Sequence, residues 1–359
     1  MKRNTSVQIK KRSNKKTIFL LVVLLLLAAL VSYYQFIYKS KQVNSGIYKL
    51  EKIFTAHTSK VWAVQFSPGG DLLASGSVDG TVKIWKKDGT IIQNLKHLQG
   101  VTNLEFSHDG NYIVTSSYDG KPRIWNVTNG QLVKEFAGHT GTVWTVSFSP
   151  DGKTIASAGE DNLIKLWNVE SGELINTFKG HERNIWSIRF SPDGSKIASG
   201  SFDNSVKIWN VSDGKIIHSM NGHTEAVVAV AFSPDGQTVA STSDDKTIKL
   251  WNVNDGKLLR TMDESKEHVQ AVAFSPDGKQ LLTGGRDKPA VGELLQNFLG
   301  DSKINKGVSM RLWDVESGKL LQTFSEHEND ANDVAFSPDG KWIASASEDK
   351  TVHIWHLAK

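Results

Sequence analysis

Cysteine is absent from the 359 residues of this chain. Its absence excludes disulfide bonds, thiol catalysis, cysteine-ligated zinc and a cysteine-linked lipid anchor. A strong charge imbalance is also lacking, because 42 basic and 38 acidic side chains leave a net charge of only +4. Residues 1–16 contain seven of the basic residues and no acidic one, so the rest of the chain is slightly acidic. We therefore predict no nucleic-acid partner, since such binding requires a basic stripe.

One long apolar run lies near the N-terminus. Residues 18–31 contain neither a charged residue nor a proline, and the largely apolar character continues to residue 38. A helix over residues 17–38 would be about 33 Å long, enough to cross a hydrocarbon core of about 30 Å. Its three tyrosines would lie at the far membrane interface; they are Tyr33, Tyr34 and Tyr38. The run therefore predicts one transmembrane signal-anchor helix over residues 17–38.

The charges around this segment predict its orientation. The seven basic residues precede it, whereas only Lys39 and Lys41 follow closely. The positive-inside rule then makes residues 1–16 a basic cytoplasmic tail and places the chain beyond a short stalk, 39–46, outside the cytoplasm. A cleaved signal peptide is the alternative, because the strictly apolar run spans only residues 18–31. No small-residue cleavage site follows the run, so we predict a single-pass membrane protein rather than a secreted one.

A repeated unit fills the remaining chain. The pattern Phe-Ser-x-x-Gly occurs seven times, with its phenylalanines at Phe66, Phe106, Phe148, Phe190, Phe232, Phe274 and Phe336. Each repeat also has an Ile-Trp or Leu-Trp pair, with tryptophans at Trp85, Trp125, Trp167, Trp209, Trp251, Trp313 and Trp355. Both markers recur every 40 or 42 residues, except that the sixth repeat is longer by 20. A fixed period of this size is typical of repeat architectures.

The third repeat, residues 139–179, shows how one unit should fold. Val143, Val146 and Phe148 cannot all share one face of a regular strand, but one bulged residue restores the register. The segment 149–152 reads Ser-Pro-Asp-Gly and predicts a turn, after which three more short strands follow. Four antiparallel strands repeated seven times predict a radial arrangement that hides the sheet edges.

These features resemble the WD40-repeat β-propeller family over about residues 47–356. The resemblance is carried by Gly138-His139, Gly180-His181, Gly222-His223 and the seven tryptophans above. It implies an all-β fold, a seven-bladed WD40 β-propeller with four antiparallel strands per blade over residues 47–359. The apolar run adds one transmembrane helix before this propeller. The resemblance also implies that a strand at 47–54 joins the last blade and closes the ring. The extra residues form an insertion, 288–309, in blade 6, where a short helix with an apolar stripe is predicted.

The resemblance also implies a buried hydrogen-bonded relay of His, Ser or Thr, Asp and Trp in each blade. Its predicted members are His57, Ser75, Asp79, Trp85, His97, Thr115, Asp119, Trp125, His139, Ser157, Asp161, Trp167, His181, Ser199, Asp203, Trp209, His223, Ser241, Asp245, Trp251, His327, Ser345, Asp349 and Trp355. Buried imidazole and indole groups need such partners. In repeat six Ser265 stands where the histidine belongs, so that relay is predicted to be broken. We predict a structural role and no catalytic residues.

Partners in this family are commonly gripped on the face that carries the His and Asp loops. Three positions per blade project there, at the third and fifth residues after the His and directly before the Asp. The predicted partner-binding residues at these positions are Trp62, Tyr118, Trp144, Trp186, Phe202, Asp244, Arg286, Asp330 and Glu348. The aromatic members lie on blades 1 to 4, and Trp and Tyr are enriched at binding hot spots. The alternative is that these aromatic side chains pack between blades and that the charged ones form a solvated rim.

The sequence as a whole predicts a non-catalytic, membrane-tethered scaffold that binds a protein or peptide, with no cofactor and no metal. An extracytoplasmic glycan or cell-wall binder is an alternative, because flat aromatic rings stack on sugars. An enzyme is a second alternative, although nothing outside the relay pairs a nucleophile with a base. A purely structural scaffold that uses the outer rims of the blades is a third.

Overall fold

The computed structural model describes residues 46–263, 265, 267–285 and 307–358. All regular elements in these ranges are strands, which form seven four-stranded antiparallel sheets. The predicted all-β, seven-bladed propeller is therefore confirmed. None of the described residues belongs to a helix capable of spanning a bilayer. The predicted helix over residues 17–38, the tail before it, Arg286 and most of the insertion lie outside the described residues.

The strands have the following bounds. Blade 1 contains β2 Val61–Phe66, β3 Leu72–Ser77, β4 Thr81–Lys86 and β5 Ile91–Lys96. Blade 2 contains β6 Val101–Phe106, β7 Tyr112–Ser117, β8 Arg123–Asn126 and β9 Leu132–Glu135. Blade 3 contains β10 Val143–Phe148, β11 Thr154–Gly159, β12 Leu163–Asn168 and β13 Leu174–Lys179. Blade 4 contains β14 Ile185–Phe190, β15 Lys196–Ser201, β16 Ser205–Asn210 and β17 Ile216–Asn221.

The remaining blades follow the same order. Blade 5 contains β18 Val227–Phe232, β19 Thr238–Ser243, β20 Ile248–Asn252 and β21 Leu258–Met262. Blade 6 contains β22 Val269–Phe274, β23 Gln280–Gly285, β24 Met310–Asp314 and β25 Leu320–Phe324. Blade 7 contains β26 Ala331–Phe336, β27 Trp342–Ser347, β28 Val352–Leu357 and, from the other end of the chain, β1 Tyr48–Phe54.

The first strand of every blade lines the centre of the ring. Each of these inner strands contacts the inner strand of the blade before it and of the blade after it, so the seven enclose a central channel. Each also has a register shift against its neighbour in the blade, between Val143 and Thr145 in blade 3 for example. The predicted bulge is thereby confirmed. The bulge takes the residue within the register shift, such as Trp144, out of the regular alternation of side chains along the strand.

Apolar side chains fill the space between neighbouring blades. Ala156 and Ile164 of blade 3, for instance, form one cluster with Ile185, Ile188 and Trp209 of blade 4. Because the residues alternate along each strand, both faces of a blade supply such side chains. The core is therefore divided into inter-blade layers, and each blade depends on its neighbours for burial.

Strand β1 closes the ring by pairing antiparallel with β28. The Gln322 amide group of blade 6 donates to Tyr48 O at 2.7 Å and accepts from Tyr48 N at 2.9 Å. At the other end of β1, the Phe54 ring stacks on Trp85 of blade 1 with 5.0 Å between centroids. The strand is thus attached to both neighbours of blade 7.

The channel has two ends. The turns between the first and second strands, which contain the repeated Ser-Pro motif, form the Ser-Pro-turn face. The loops that contain the relay His and Asp form the His/Asp-loop face at the opposite end. Strand β1 starts at the Ser-Pro-turn face, because Tyr48 Oη donates to Gly340 O in the turn of blade 7 at 2.5 Å.

Candidate partner-binding face

Blade 4 shows the complete relay. His181 Nδ1 lies 2.7 Å from Asp203 Oδ2, and His181 Nε2 lies 2.7 Å from Ser199 Oγ. Trp209 Nε1 donates to the same hydroxyl at 2.7 Å. Burial lowers the pKa of His181, which favours the neutral imidazole. With the proton on Nδ1, His181 donates to the Asp203 carboxylate and Ser199 donates to His181 Nε2. Each ring nitrogen of the relay and the Ser199 hydroxyl then have a hydrogen-bond partner.

Three other blades repeat this geometry. In blades 1, 3 and 5 the His Nδ1 to Asp distances are 3.0, 2.8 and 2.9 Å, for His57–Asp79, His139–Asp161 and His223–Asp245. The serines Ser75, Ser157 and Ser241 each bond both the His Nε2 and the Trp Nε1 of their blade. These serines are fully buried. A hydroxyl that is enclosed in this way cannot meet a substrate, which agrees with the predicted structural role.

Blade 2 departs from the predicted relay. His97 Nε2 and Trp125 Nε1 both reach Thr115 Oγ1, at 2.8 and 3.1 Å. Asp119, however, is held by the Arg123 guanidinium, with Nη2–Oδ2 at 2.6 Å, and His97 Nδ1 has no partner within the described residues. The physical reason is that a buried guanidinium attracts the carboxylate more strongly than a neutral imidazole does.

Blades 6 and 7 also differ. In blade 6, Ser265 is buried and its hydroxyl has no partner among the described residues, whereas Trp313 Nε1 still donates to Thr283 Oγ1 at 3.0 Å. In blade 7, His327 reaches Asp349 and Ser345 at 2.7 and 2.6 Å, but no described group accepts from Trp355 Nε1.

Blade 7 also contains a second histidine, His353, beside its relay. The His353 ring stacks on His327 with 3.7 Å between centroids. The other six blades have Lys or Arg at the position of His353, two residues before the relay Trp. In blade 4 that lysine, Lys207, bonds Ser219 across the strand pair, whereas His353 lies opposite Ile53 of β1.

The five predicted aromatic residues form one continuous cluster on the His/Asp-loop face. The Trp186 ring is sandwiched between Trp144, at 4.2 Å between centroids, and Phe202, at 4.9 Å. Trp62 meets the edge of Trp186 at 6.3 Å, and Tyr118 meets the edge of Trp144 at 5.4 Å. All five side chains are partly exposed. The sequence left contact with a ligand and packing as alternatives, and the structure shows that the rings pack on one another while keeping an exposed surface.

This cluster lies over the mouth of the channel. Trp62 belongs to blade 1 and Trp186 to blade 4, which are almost opposite each other in a ring of seven. Their rings can meet at 6.3 Å only above the axis. The aromatic side chains therefore cover the channel at the His/Asp-loop face.

Three buried polar atoms in or beside the cluster lack a hydrogen-bond partner among the described residues. They are the indole N–H groups of Trp62 and Trp144, which are donors, and Oδ1 of Asn332, which is an acceptor. Asn332 is 7% exposed, and its Nδ2 donates to Val61 O of blade 1 at 3.0 Å. It occupies the same repeat position as the three tryptophans, so spacing alone could have added it to the predicted site.

Charged residues of blades 5 to 7 stand next to the aromatic cluster. Lys60 bonds Glu348 at 2.6 Å, and His268 Nε2 lies 3.1 Å from Asp330. Burial raises the pKa of Asp244. The bond to Asp330, together with the charges of Asp330 and Asp244, raises the pKa of His268 against its own burial. Glu348 and Asp330 thus already contact a cationic or protonatable partner, and the predicted Arg286 lies outside the described residues.

The matches to models of known protein families lie within the repeated part of the chain. A family model described as the WD domain, G-beta repeat, matches residues 48–86, 89–126 and 318–356. A second model, the WDR3 first beta-propeller domain, matches residues 123–290. The chain belongs to the WD40-repeat family.

Individual relatives of this WD40 protein match only in part. WD repeat-containing protein 36 from Homo sapiens is 36% identical over 72 residues, 20% of this chain and 7% of that protein. Protein HIRA from Xenopus laevis is 38% identical over 79 residues, 22% of this chain and 8% of that protein. WD repeat and SOCS box-containing protein 1 from Danio rerio is 42% identical over 55 residues, 15% of this chain and 13% of that protein. These matches span less than a seventh of each relative's length.

Proposed function

We propose that this WD40 protein is a non-catalytic, membrane-tethered scaffold that binds a protein or peptide through its His/Asp-loop face. The observation that carries the proposal is the continuous, partly exposed aromatic cluster above the channel, which adjoins the acidic sector of blades 5 to 7. Aromatic side chains supply a large contact area at low cost in conformational entropy, and they dominate binding hot spots.

The polar atoms beside the cluster favour a peptide. Trp144 Nε1 offers a donor and Asn332 Oδ1 an acceptor. A peptide group has a carbonyl oxygen that can accept from the first and an N–H that can donate to the second. Asp244 favours a basic side chain on the ligand, whereas Glu348 already bonds Lys60. The partner that this surface fits is therefore a segment with an apolar anchor and a neighbouring Lys or Arg.

The charges around the N-terminal segment support the membrane-tethered part of the proposal. With residues 17–38 as the anchor and the N-terminus in the cytoplasm, the propeller would lie outside the cytoplasm.

The similarity to other WD40 proteins supports a binding role without naming the partner. The relatives carry repeats inside longer chains, and one of them is named for a second module, a SOCS box. One fold hosts many functions, so the partner must be inferred from the surface of this chain.

Glycan binding has less support from the geometry. Stacking on a sugar ring requires a free aromatic face, but both faces of Trp186 are covered, by Trp144 and by Phe202. This argues against glycan binding at the centre of the aromatic cluster.

A cross-linked pull-down with matched variants tests the proposal. The face variant combines Trp144→Ala with Phe202→Ala, and the rim control combines Leu174→Ala with Ile175→Ala, which are 47% and 55% exposed on β13. Both are made in the detergent-solubilised full-length protein and checked by thermal melting. We expect a protein or peptide that is enriched by the wild type and the rim control but lost from the face variant. Retention by the face variant, or recovery of polysaccharide alone, would contradict the proposal.

A further inference from the structure

We propose that the central channel is a binding site for a small zwitterion, a molecule with a carboxylate and an ammonium group such as a free amino acid. The channel contains a cavity of about 640 Å³, which is lined by the inner strands of all seven blades and by the Ser-Pro turns. The aromatic cluster covers its other end, so a ligand enters from the Ser-Pro-turn face. This site is independent of the partner-binding face.

A ring of backbone N–H groups faces the channel near the Ser-Pro-turn face. Each blade contributes one, from the Phe that ends its inner strand. Three of these groups donate to a side chain of the preceding blade. Phe106 N bonds Gln65 Oε1 at 2.6 Å, Phe148 N bonds Glu105 Oε1 at 3.1 Å, and Phe190 N bonds Ser147 Oγ at 3.3 Å. Polar side chains on blades 1 to 3 thus satisfy the donors of blades 2 to 4.

The other four N–H groups lack such an acceptor. In the same register, Phe232, Phe274, Phe336 and Phe66 follow blades whose channel residues are Arg189, Ala231, Ala273 and Ala335. Alanine has no acceptor and the guanidinium is itself a donor. A contiguous arc over blades 5, 6, 7 and 1 therefore presents N–H groups that no side chain of the preceding blade satisfies, beside the carbonyl groups of the same strand edges. These N–H groups can donate to an oxyanion.

Arg189 adds a cation at one end of this arc. Its Nη1 donates to Ile188 O at 2.8 Å, which leaves the other guanidinium donors for a ligand. No carboxylate of the described residues lies within ion-pair distance of it. A guanidinium fork matches a carboxylate in two parallel hydrogen bonds.

Two acidic side chains supply the opposite charge. Glu105 and Asp333 both line the cavity, and Asp333 is fixed by hydrogen bonds from the N–H groups of Val64 and Val334, each at 2.9 Å. Burial raises the pKa of Glu105, and it raises that of Asp333 to about 6, while Arg189 acts against both shifts. Arg189 therefore lies close enough to influence both carboxyl groups without pairing with either.

This separation of charge decides the class of ligand. A simple anion would be repelled by Glu105 and Asp333, and a simple cation would be repelled by Arg189. A zwitterion places its carboxylate on Arg189 and the donor arc and its ammonium group toward the acidic side chains. The cavity volume accommodates an amino acid with room for a side chain beside Ala231 and Ala273.

Isothermal titration of the detergent-solubilised full-length protein tests this site. The probes are L-alanine, N-acetyl-L-alanine, which lacks the ammonium group, and L-alaninamide, which lacks the carboxylate. We expect saturable binding of L-alanine and at least about ten-fold weaker binding of both analogues, since each loses a charge-assisted contact. Equal binding of all three, or no saturable binding of L-alanine, would overturn the proposal.

Two variants and a control locate the binding. Arg189→Gln should weaken L-alanine binding at least about ten-fold. Ala231→Ser should also weaken it, because the new hydroxyl can accept from Phe274 N as Ser147 does from Phe190 N. Lys153→Gln removes an exposed charge near the same face but outside the cavity, and it should leave binding unchanged. Unaltered affinity in Arg189→Gln, with folding verified by thermal melting, would refute the assignment.

Discussion

Removing one hydroxyl from the interior of blade 4 tests the physical role of the relay. Ser199 Oγ bonds His181 Nε2 and Trp209 Nε1, both at 2.7 Å, and Ser199 is fully buried. Ser199→Ala leaves a buried indole N–H and a buried ring nitrogen without partners. Each such group costs about 1–3 kcal/mol, so we expect the free energy of unfolding to fall by about 2–5 kcal/mol.

Blade 6 supplies an internal reference for this experiment. Its Thr283 Oγ1 accepts from Trp313 Nε1 at 3.0 Å, and Ser265 replaces the histidine. Thr283→Val keeps the shape of the side chain and leaves one buried donor unpaired, at a cost of about 1–3 kcal/mol. The difference between the two variants therefore measures the contribution of the imidazole.

Urea unfolding of the detergent-solubilised full-length protein gives both values. Transitions are followed by tryptophan fluorescence and by circular dichroism, because coincident curves are needed before a free energy is assigned. The reasoning is refuted if Ser199→Ala costs less than about 1 kcal/mol, or no more than Thr283→Val.

Three further predictions follow from other parts of the structure. Burial and the neighbouring Arg123 lower the pKa of His97 to about 4, whereas an unfolded histidine titrates near pH 6.5, so stability should fall by up to about 3 kcal/mol as the pH drops between these values. His97→Gln should flatten this decline in urea midpoints, and an unchanged pH profile would contradict the assignment. Phe54→Ala should lower stability by about 3–5 kcal/mol because Phe54 is buried against Trp85, whereas Ile53→Ala, on the exposed side of β1, should cost far less in the same melts; equal losses would argue against closure by this strand. Because the chain has no cysteine, Glu182→Cys and Ser195→Cys each give one reporter, on opposite faces of the propeller. An impermeant maleimide should label both in intact cells, and labelling only after lysis would disprove the extracytoplasmic location.

Most of the fold could be predicted because its determinants are local. The Phe-Ser-Pro-Asp-Gly turn, the alternation of apolar residues and the displaced Val143 together predicted four strands in blade 3 and the bulge in β10. The family resemblance also implied which His, Ser and Trp of blade 4 would meet, and all three belong to one repeat.

The departures from prediction involve contacts that spacing does not specify. Arg123 captures Asp119 because a longer, charged side chain reaches it within the same blade. His353 stacks on His327 because its neighbouring strand comes from the other end of the chain. Repeat position alone treats these residues as equivalent to their counterparts, although their partners differ.

The sequence by itself determined the number of blades and the order of the strands within each, because a period of about 42 residues and short turns act within one unit. Only the tertiary structure decided which side chains from different blades meet. Trp62 and Trp186 come together because closure of the ring places blades 1 and 4 around one channel. Closure likewise brings Arg189, Glu105 and Asp333 of three different blades into one cavity, and no local pattern predicts that they meet.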